Sequence, residues 1–203
     1  AGCASQPTGR DIVAASGKAL ADAPLCCTTL AAARKVPLPR EEKPVDVEIG
    51  TSSQAFDFGG NKAFFVLYEL PKFTETYAMV VTSFTAGSMQ DSAMFIPRMA
   101  TYDAGFKLVR YFDEKTLRNR STNLERTVFF NPQDKDERYI AIYGSDLSAS
   151  IERAYSMMTV TPVFAGGFMF NVHGGVDGKT TVRSAPTGKL KLEVQWPDRP
   201  NAR

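Results

Sequence analysis

Leu190-Lys191-Leu192-Glu193-Val194-Gln195-Trp196 alternates apolar and polar residues without a break, and Val45-Asp46-Val47-Glu48-Ile49 does the same far upstream. Successive side chains of a β-strand point to opposite faces, so a period of two marks two half-buried strands. Between them, Ala63–Leu70 and Tyr77–Phe84 are apolar on both faces and read as central strands. Met94-Phe95-Ile96, Phe106–Phe112, Arg126–Phe130 and Tyr139–Tyr143 continue the series. Turn chemistry separates them at Gly59-Gly60-Asn61, Asp103-Ala104-Gly105 and Asn131-Pro132-Gln133-Asp134. Strands spaced by turns, with few helices to carry crossovers, give a mainly β chain, an antiparallel β-sandwich over residues 45–196. Leu147–Tyr155 is expected as its one short helix.

Upstream, residues 1–22 are rich in Ala, Ser and Gly. They suit a tether, or a loosely held helix over Asp11–Ala21. In residues 23–44 the sequence Asp22-Ala23-Pro24 offers a helix start, since Asp accepts from free N–H groups and Pro is tolerated in a first turn. Cys26, Leu30 and Ala33 then recur at i, i+4 and i+7, a narrow apolar stripe. Pro37, Pro39 and Pro44 end that helix and hold Val36–Pro44 extended. Residues 197–203 are a C-terminal tail.

The chain has 203 residues, 43% of them hydrophobic and 23% charged, as in ordinary globular domains. A net charge of +2 lacks the concentrated basic footprint of a nucleic-acid binder. Three Cys and one His leave little material for zinc, and no metal or other cofactor is expected.

Ala1-Gly2-Cys3 resembles the end of a bacterial lipobox, which implies cleavage before Cys3 and acylation of its thiol. Several acyl chains on Cys3 would hold the domain at a bilayer surface, at roughly 0.8 kcal/mol per buried CH₂. Without Asp just after Cys3, the sorting pattern favours the periplasmic face of the outer membrane. Cys26 and Cys27 are neighbours, about 3.8 Å apart at Cα, short of ordinary disulfide geometry. Bland packing under a helix, a strained vicinal disulfide and an intermolecular bridge are all open to them.

Nucleophilic catalysis of the Ser-His-Asp kind needs an imidazole, and the only one, His173, lies in the Gly-rich, loop-like stretch 164–175 with no nucleophile elbow beside it. The acidic groups Glu41-Glu42, Asp113-Glu114 and Asp134/Asp136/Glu137 sit in polar turns where solvated charge is expected. The chain therefore reads as a non-enzyme. Lys107, Arg110, Lys115, Arg118, Arg120 and Arg126 form a basic run that reads either as a solvated edge or as a contact for an acidic partner. Arg110, Arg118 and Arg120 are its partner-contact candidates, together with Phe168. That residue belongs to a Phe164–Phe170 cluster which is either a strand crossing the core or an exposed apolar loop. Tyr102, Tyr111, Tyr143 and Trp196 are the aromatic side chains best placed to stack on sugar rings.

Several ordered motifs resemble the maltose operon periplasmic protein family (MalM-like). They are Leu25-Cys26-Cys27, Val36-Pro37-Leu38-Pro39, Ala55-Phe56-Asp57-Phe58-Gly59-Gly60 leading into Phe64–Leu70, and Phe95-Ile96-Pro97-Arg98 with the Asp103–Phe106 turn. Tyr139-Ile140-Ala141-Ile142-Tyr143 and Ser184-Ala185-Pro186-Thr187-Gly188-Lys189-Leu190 complete the set, which spans Leu25 to about Val194. The resemblance implies a periplasmic or outer-membrane-associated protein linked to carbohydrate uptake and carries over no catalytic residues. The expectation is a lipid-anchored accessory protein that binds an outer-membrane or periplasmic protein. Its alternative is a glycan-binding module of a maltodextrin uptake system, with an oligosaccharide held by Tyr102, Tyr143 and Trp196.

Overall fold

Thr8 starts the first element. Its hydroxyl accepts from the Asp11 N–H at 3.2 Å, while the Asp11 carboxylate accepts from the Thr8 N–H at 3.0 Å. This reciprocal cap satisfies donors that a helix start would otherwise leave free. Helix α1 runs Gly9–Asp22 in the computed structural model, which describes residues 7–39, 43–88, 90–165 and 168–197. Cys3, Glu41 and Glu42 lie outside the described residues. The expected helix over Asp11–Ala21 is present, but it is docked and not a tether. A Cβ on Gly9 would lie 2.5 Å from the Ser92 carbonyl carbon, so helix and strand touch backbone to backbone. Leu20 is buried in the main core.

The second helix, expected after Pro24, does not form. Leu25 makes a parallel bridge to Ala55, and the Cys26 N–H donates to the Ala55 carbonyl at 2.8 Å. A partner outside the segment has taken donors a helix would use internally. Only Leu30–Ala32 curls, as one 3₁₀ turn. The supposed stripe is split, with Leu30 and Ala33 buried and Cys26 exposed.

Fifteen strands among the described residues form three sheets. The first holds β1 (Lys35–Pro37), β3 (Gln54–Asp57), β4 (Lys62–Glu69), β8 (Pro97–Asp103), β9 (Leu108–Phe112) and β12 (Glu137–Gly144). Its order is β1-β4-β12-β8-β9, with β3 also pairing β4. The second contains β2 (Val45–Ile49), β5 (Tyr77–Ser83), β10 (Arg118–Arg120), β11 (Asn123–Phe130) and β15 (Gly188–Gln195), ordered β10-β11-β5-β15-β2. The third contains β6 (Thr85–Gly87), β7 (Ser92–Met94), β13 (Ser150–Ala165) and β14 (Phe168–Ser184), ordered β13-β14-β7-β6. Most pairs are antiparallel; β1 with β4 and β14 with β7 are parallel.

The first two sheets pack face to face as a β-sandwich. Phe64, Tyr68, Met99, Ile140 and Ile142 meet Met79, Val81, Val128, Leu190, Leu192 and Val194 in one buried cluster. Leu20 and Leu38 join it, and β1 pairs within the first sheet. The segments expected as tether and linker, residues 1–22 and 23–44, thus contribute described residues to the sandwich itself. The alternating ends of the sequence behave as read: Leu190, Leu192 and Val194 are buried while Lys189, Lys191 and Gln195 are exposed.

Two local expectations fail in one region. Leu147–Tyr155 is not a helix, because Ser150 onward enters β13, where Ile151, Thr159, Val160, Thr161 and Val163 supply the β-branched side chains that suit a pleated ribbon. His173 is likewise in β14, paired with Val160, and not in a loop.

Candidate functional site

The outer face of the first sheet is covered as well. Its register aligns Phe65, Tyr143 and Arg98 in one row, and Leu67, Ala141, Ala100 and Tyr111 in the next. A third row carries Tyr139, Tyr102 and Leu108. The centre of this face is therefore floored by two alanines and ringed by tyrosines. Residues 25–34 and the β3–β4 hairpin fold over one side, packing Leu30, Ala33, Phe56 and Phe58 against Phe65 and Leu67. Gly59 and Gly60, at φ of 73° and 91°, close that hairpin in the left-handed region that favours glycine.

Beside this cover an open cleft of about 390 Å³ remains, with the buried Ala100 among its lining residues. Leu30, Phe56, Phe58 and Ala100 form its apolar part; Tyr102, Tyr111 and Tyr143 line it with hydroxyl-bearing rings. Asp57, Asn61 and Arg98 supply the polar rim. A recess of about 520 Å³ beside Cys26 and Cys27 shares Phe56, Asp57 and Gly59 with it.

Arg98 does not project freely. Its Nε and Nη2 donate to the two Glu114 carboxylate oxygens at 2.8 and 3.1 Å. That fork, aided by Ser145 at 3.4 Å, holds the Glu114 carboxyl down at about 2. A general acid needs a raised value, so Glu114 is not tuned for proton donation. Burial pushes the Tyr102 and Tyr143 hydroxyls up, and both stay protonated donors across the ordinary pH range. Asp57 accepts from the Gly60 N–H at 2.5 Å, and the Asn61 amide donates to the Gly144 carbonyl at 3.2 Å. Apolar floor, flat aromatic walls and a few oriented polar groups are the ingredients of a small-molecule or sugar site.

The structure brings only part of the expected aromatic set together. Tyr111 is 49% exposed, and Tyr102 is half-buried against the covering cluster. Tyr143, expected to be exposed, is 6% exposed, and Phe58 stacks on it at 3.8 Å and 4°. It is a wall, because its ring face is occupied. Trp196 does not line the cleft; it packs on Tyr77 at 4.8 Å, and Tyr77 in turn stacks on Phe130 within the inter-sheet core. A sequence reading has no access to which of these rings share a face.

The basic run dissolves for a similar reason. Arg110 donates to both oxygens of buried Glu137, at 2.6 and 2.7 Å, and to the Phe129 carbonyl at 3.0 Å. Its guanidinium also lies 5.3 Å from the Phe112 and Phe130 ring centres. Far from offering itself to a partner, Arg110 is an internal counter-ion. Arg126 is buried and donates to Thr116 Oγ1 and the Asp113 carbonyl. Arg120 is exposed beside Glu125 at 3.1 Å, and Arg118 is exposed in β10. The backbone of Phe168 pairs with Ala165, so the cluster is strand, while Phe164 and Met169 are 75% and 59% exposed and do not cross the core.

Cys26 and Cys27 are both free, and Cys26 is exposed, which replaces the expected packing beneath a helix. Phe56, Phe58, Asp57, Asn61 and Arg98 are site residues that the sequence reading passed over. A signal was there: Arg98, Ala100 and Tyr102 alternate along β8, and small residues between large ones on one face leave a hollow. Among the described residues no group of His, Cys, Asp or Glu could hold a metal ion. Against family models, curated proteins and solved structures, the chain gives no match.

Proposed function

We propose that the protein is a non-enzymatic accessory protein of the bacterial periplasm, held at the outer membrane through Cys3, whose cleft binds an oligosaccharide. The observation that carries the ligand is the Ala100 floor between Tyr102 and Tyr111, with Asp57, Asn61 and Arg98 at the rim. Sugar rings present flat C–H faces that stack on aromatic rings and hydroxyls that need oriented donors and acceptors. The similarity to the maltose operon periplasmic protein family supports linear maltodextrins as the first class to try. Titration calorimetry with maltotriose and maltoheptaose tests this. Tyr102→Ala and Tyr111→Ala should each weaken binding at least tenfold, and Trp196→Phe should leave it unchanged. No heat with either sugar, or equal loss in all three variants, would refute the cleft as a glycan site.

A protein partner is the second reading. It is favoured by edge strand β9, where Leu108, Val109 and Tyr111 are 53%, 49% and 49% exposed. An exposed strand edge can accept another chain's strand. Crosslinking in intact cells from residues 108 and 109 would capture a stoichiometric envelope protein if this reading holds. Scattered adducts alone would exclude it.

A further inference from the structure

Strands β13 and β14 run on far past the sheet that holds them. β14 pairs with β7 only over Val182–Ser184, and Thr180 Oγ1 donates to the Gln90 carbonyl at 3.2 Å. Beyond that, Ala154–Ala165 pairs with Lys179–Phe168 and with nothing else among the described residues. At about 3.3 Å per residue, this two-stranded arm is roughly 40 Å long. Two-stranded ribbons are marginal in water by themselves.

Its composition is unlike the rest of the chain. From Ala154 to Val176 there is no Asp, Glu, Lys or Arg. Glu152, Arg153, Asp177 and Lys179 then form a charged collar at the base, with Glu152 and Lys179 3.8 Å apart. Val160, Phe164 and Met169 are 50%, 75% and 59% exposed. The register separates two series. One reads Tyr155, Met157, Thr159, Thr161 and Val163 on β13, against Phe170, Val172 and Val176 on β14; the other reads Ser156, Met158, Val160, Pro162 and Phe164, against Met169, Asn171, His173, Gly175 and Asp177. The first series is uncharged and mainly apolar, while the second mixes Met158, Val160, Phe164 and Met169 with the polar Ser156, Asn171 and His173 and ends on Asp177 at the base.

We propose that this arm is a membrane-inserting hairpin, and that copies of this chain assemble their arms into a closed transmembrane β-barrel. Length supports the occupant. Charge-free runs of about nine residues on β14 and twelve on β13 match the 9–11 that a tilted strand needs, and at 45° they rise about 21 and 28 Å against an apolar band of about 25 Å in outer-membrane barrels. Alternation of a lipid-facing and a lumen-facing series is what a barrel wall requires. The free edges explain the need for copies. Among the described residues β13 has an unpaired outer edge and β14 is unpaired over most of its own, and such edges are not tolerated in lipid unless neighbours close the ring. Pro162 lacks an N–H, so one ladder bond is absent at its level. The N-terminal segment approaches from the same place: the Gly9 N–H donates to the Asp91 carbonyl at 2.8 Å, beside β7, and Arg183 of the arm's base reaches Asp91 at 3.5 Å.

The test uses the full chain with Cys3→Ser, so that no acyl group contributes. Vesicles of phosphatidylethanolamine and phosphatidylglycerol with an entrapped dye are scored for flotation of protein and release of dye. Chemical crosslinking gives the copy number. The barrel requires flotation, dye release and a ladder of multiples together. Thr161→Arg, in the lipid-facing series, should cut partitioning about 30-fold (about 2 kcal/mol). Val160→Arg, its neighbour in the lumen-facing series, should leave it within about threefold. Both positions are exposed in the free chain, so unchanged melting temperatures show that both variants fold. Absence of flotation, flotation without dye release, or equal effects of the two arginines would each overturn the proposal. Tyr102→Ala should release dye normally, which separates this result from the fate of the cleft.

Discussion

Replacing Arg110 with Ala is expected to unfold this protein more readily, although the residue belongs to a run that reads as surface. Glu137 lies beneath it with its side chain 1% exposed. Arg110 supplies two charge-assisted bonds to that carboxylate, at 2.6 and 2.7 Å, and Thr101 Oγ1 adds a third at 2.9 Å. Asp134 lies 3.6 Å from the guanidinium on the other side. Removal of the cation leaves Glu137 buried, charged and short of two of its three donors. Breaking a buried pair from one side costs about 3–5 kcal/mol, most of it the stranded charge. At roughly 2–4 °C per kcal/mol for a chain of this size, the melting temperature should fall by about 6–20 °C. Urea denaturation with an unchanged m-value and calorimetry would measure it. The double replacement Arg110→Met with Glu137→Met removes both charges and should recover most of the loss. A loss below about 1 kcal/mol for Arg110→Ala would refute the internal counter-ion role, and no recovery in the double variant would refute the stranded-charge explanation.

Acid should weaken the cleft wall through Glu114. Its carboxyl is held from 4.5 down to about 2 in the fold, chiefly by Arg98. A depressed value stabilises the fold above the unfolded pKa, and that contribution is lost as pH falls from about 4.5 toward 2. With the pair a fifth to a third exposed, solvent screening leaves about 1 kcal/mol; Arg98→Gln should flatten the stability–pH curve across that window, and an unaltered curve would exclude the linkage. Gly188→Ala should cost about 1–3 kcal/mol in denaturant, because its Cβ would stand 2.6 Å from Phe95 Cβ; a neutral result would mean that Phe95 can shift. Arg118→Glu with Arg120→Glu should cost no more than about 1 kcal/mol, since both side chains are exposed and only the surface pair of Arg120 with Glu125 is lost. A clearly larger loss would make them structural.

Strand existence was legible wherever one face meets the core and the other meets water. β15 follows the alternation Leu190-Lys191-Leu192 residue by residue, because burial on a single face writes a period of two into the sequence, while β2 follows it only from Val47 to Ile49, its first residue Val45 being exposed. β4 and β5 were legible as runs apolar on both faces. β8 was missed: its outer row alternates Arg98, Ala100 and Tyr102 over a buried Met99 and Thr101, and no strong contrast in polarity marks the two faces. Helix α1 was legible only as a loose helix over Asp11–Ala21; the Thr8–Asp11 cap that starts it at Gly9 is local chemistry that the sequence reading passed over. The segment after Pro24 was not legible, because its donors are taken by Ala55, about 30 residues away.

Sequence by itself determined the mainly β class, the sandwich strands β2, β4, β5, β9, β11, β12 and β15, the turn glycines and the inventory of tyrosines from which a cleft could be built. Tertiary structure decided which of those tyrosines meet, that Tyr143 is covered by Phe58, and that Trp196 belongs to the opposite side of the sheet from Tyr102. It also decided that Arg110 and Arg126 face inward. The physical reason is one of range. Periodicity and caps are set by residues within a few positions of each other, whereas a charge's partner or a ring's exposed face depends on strands brought together from distant parts of the chain.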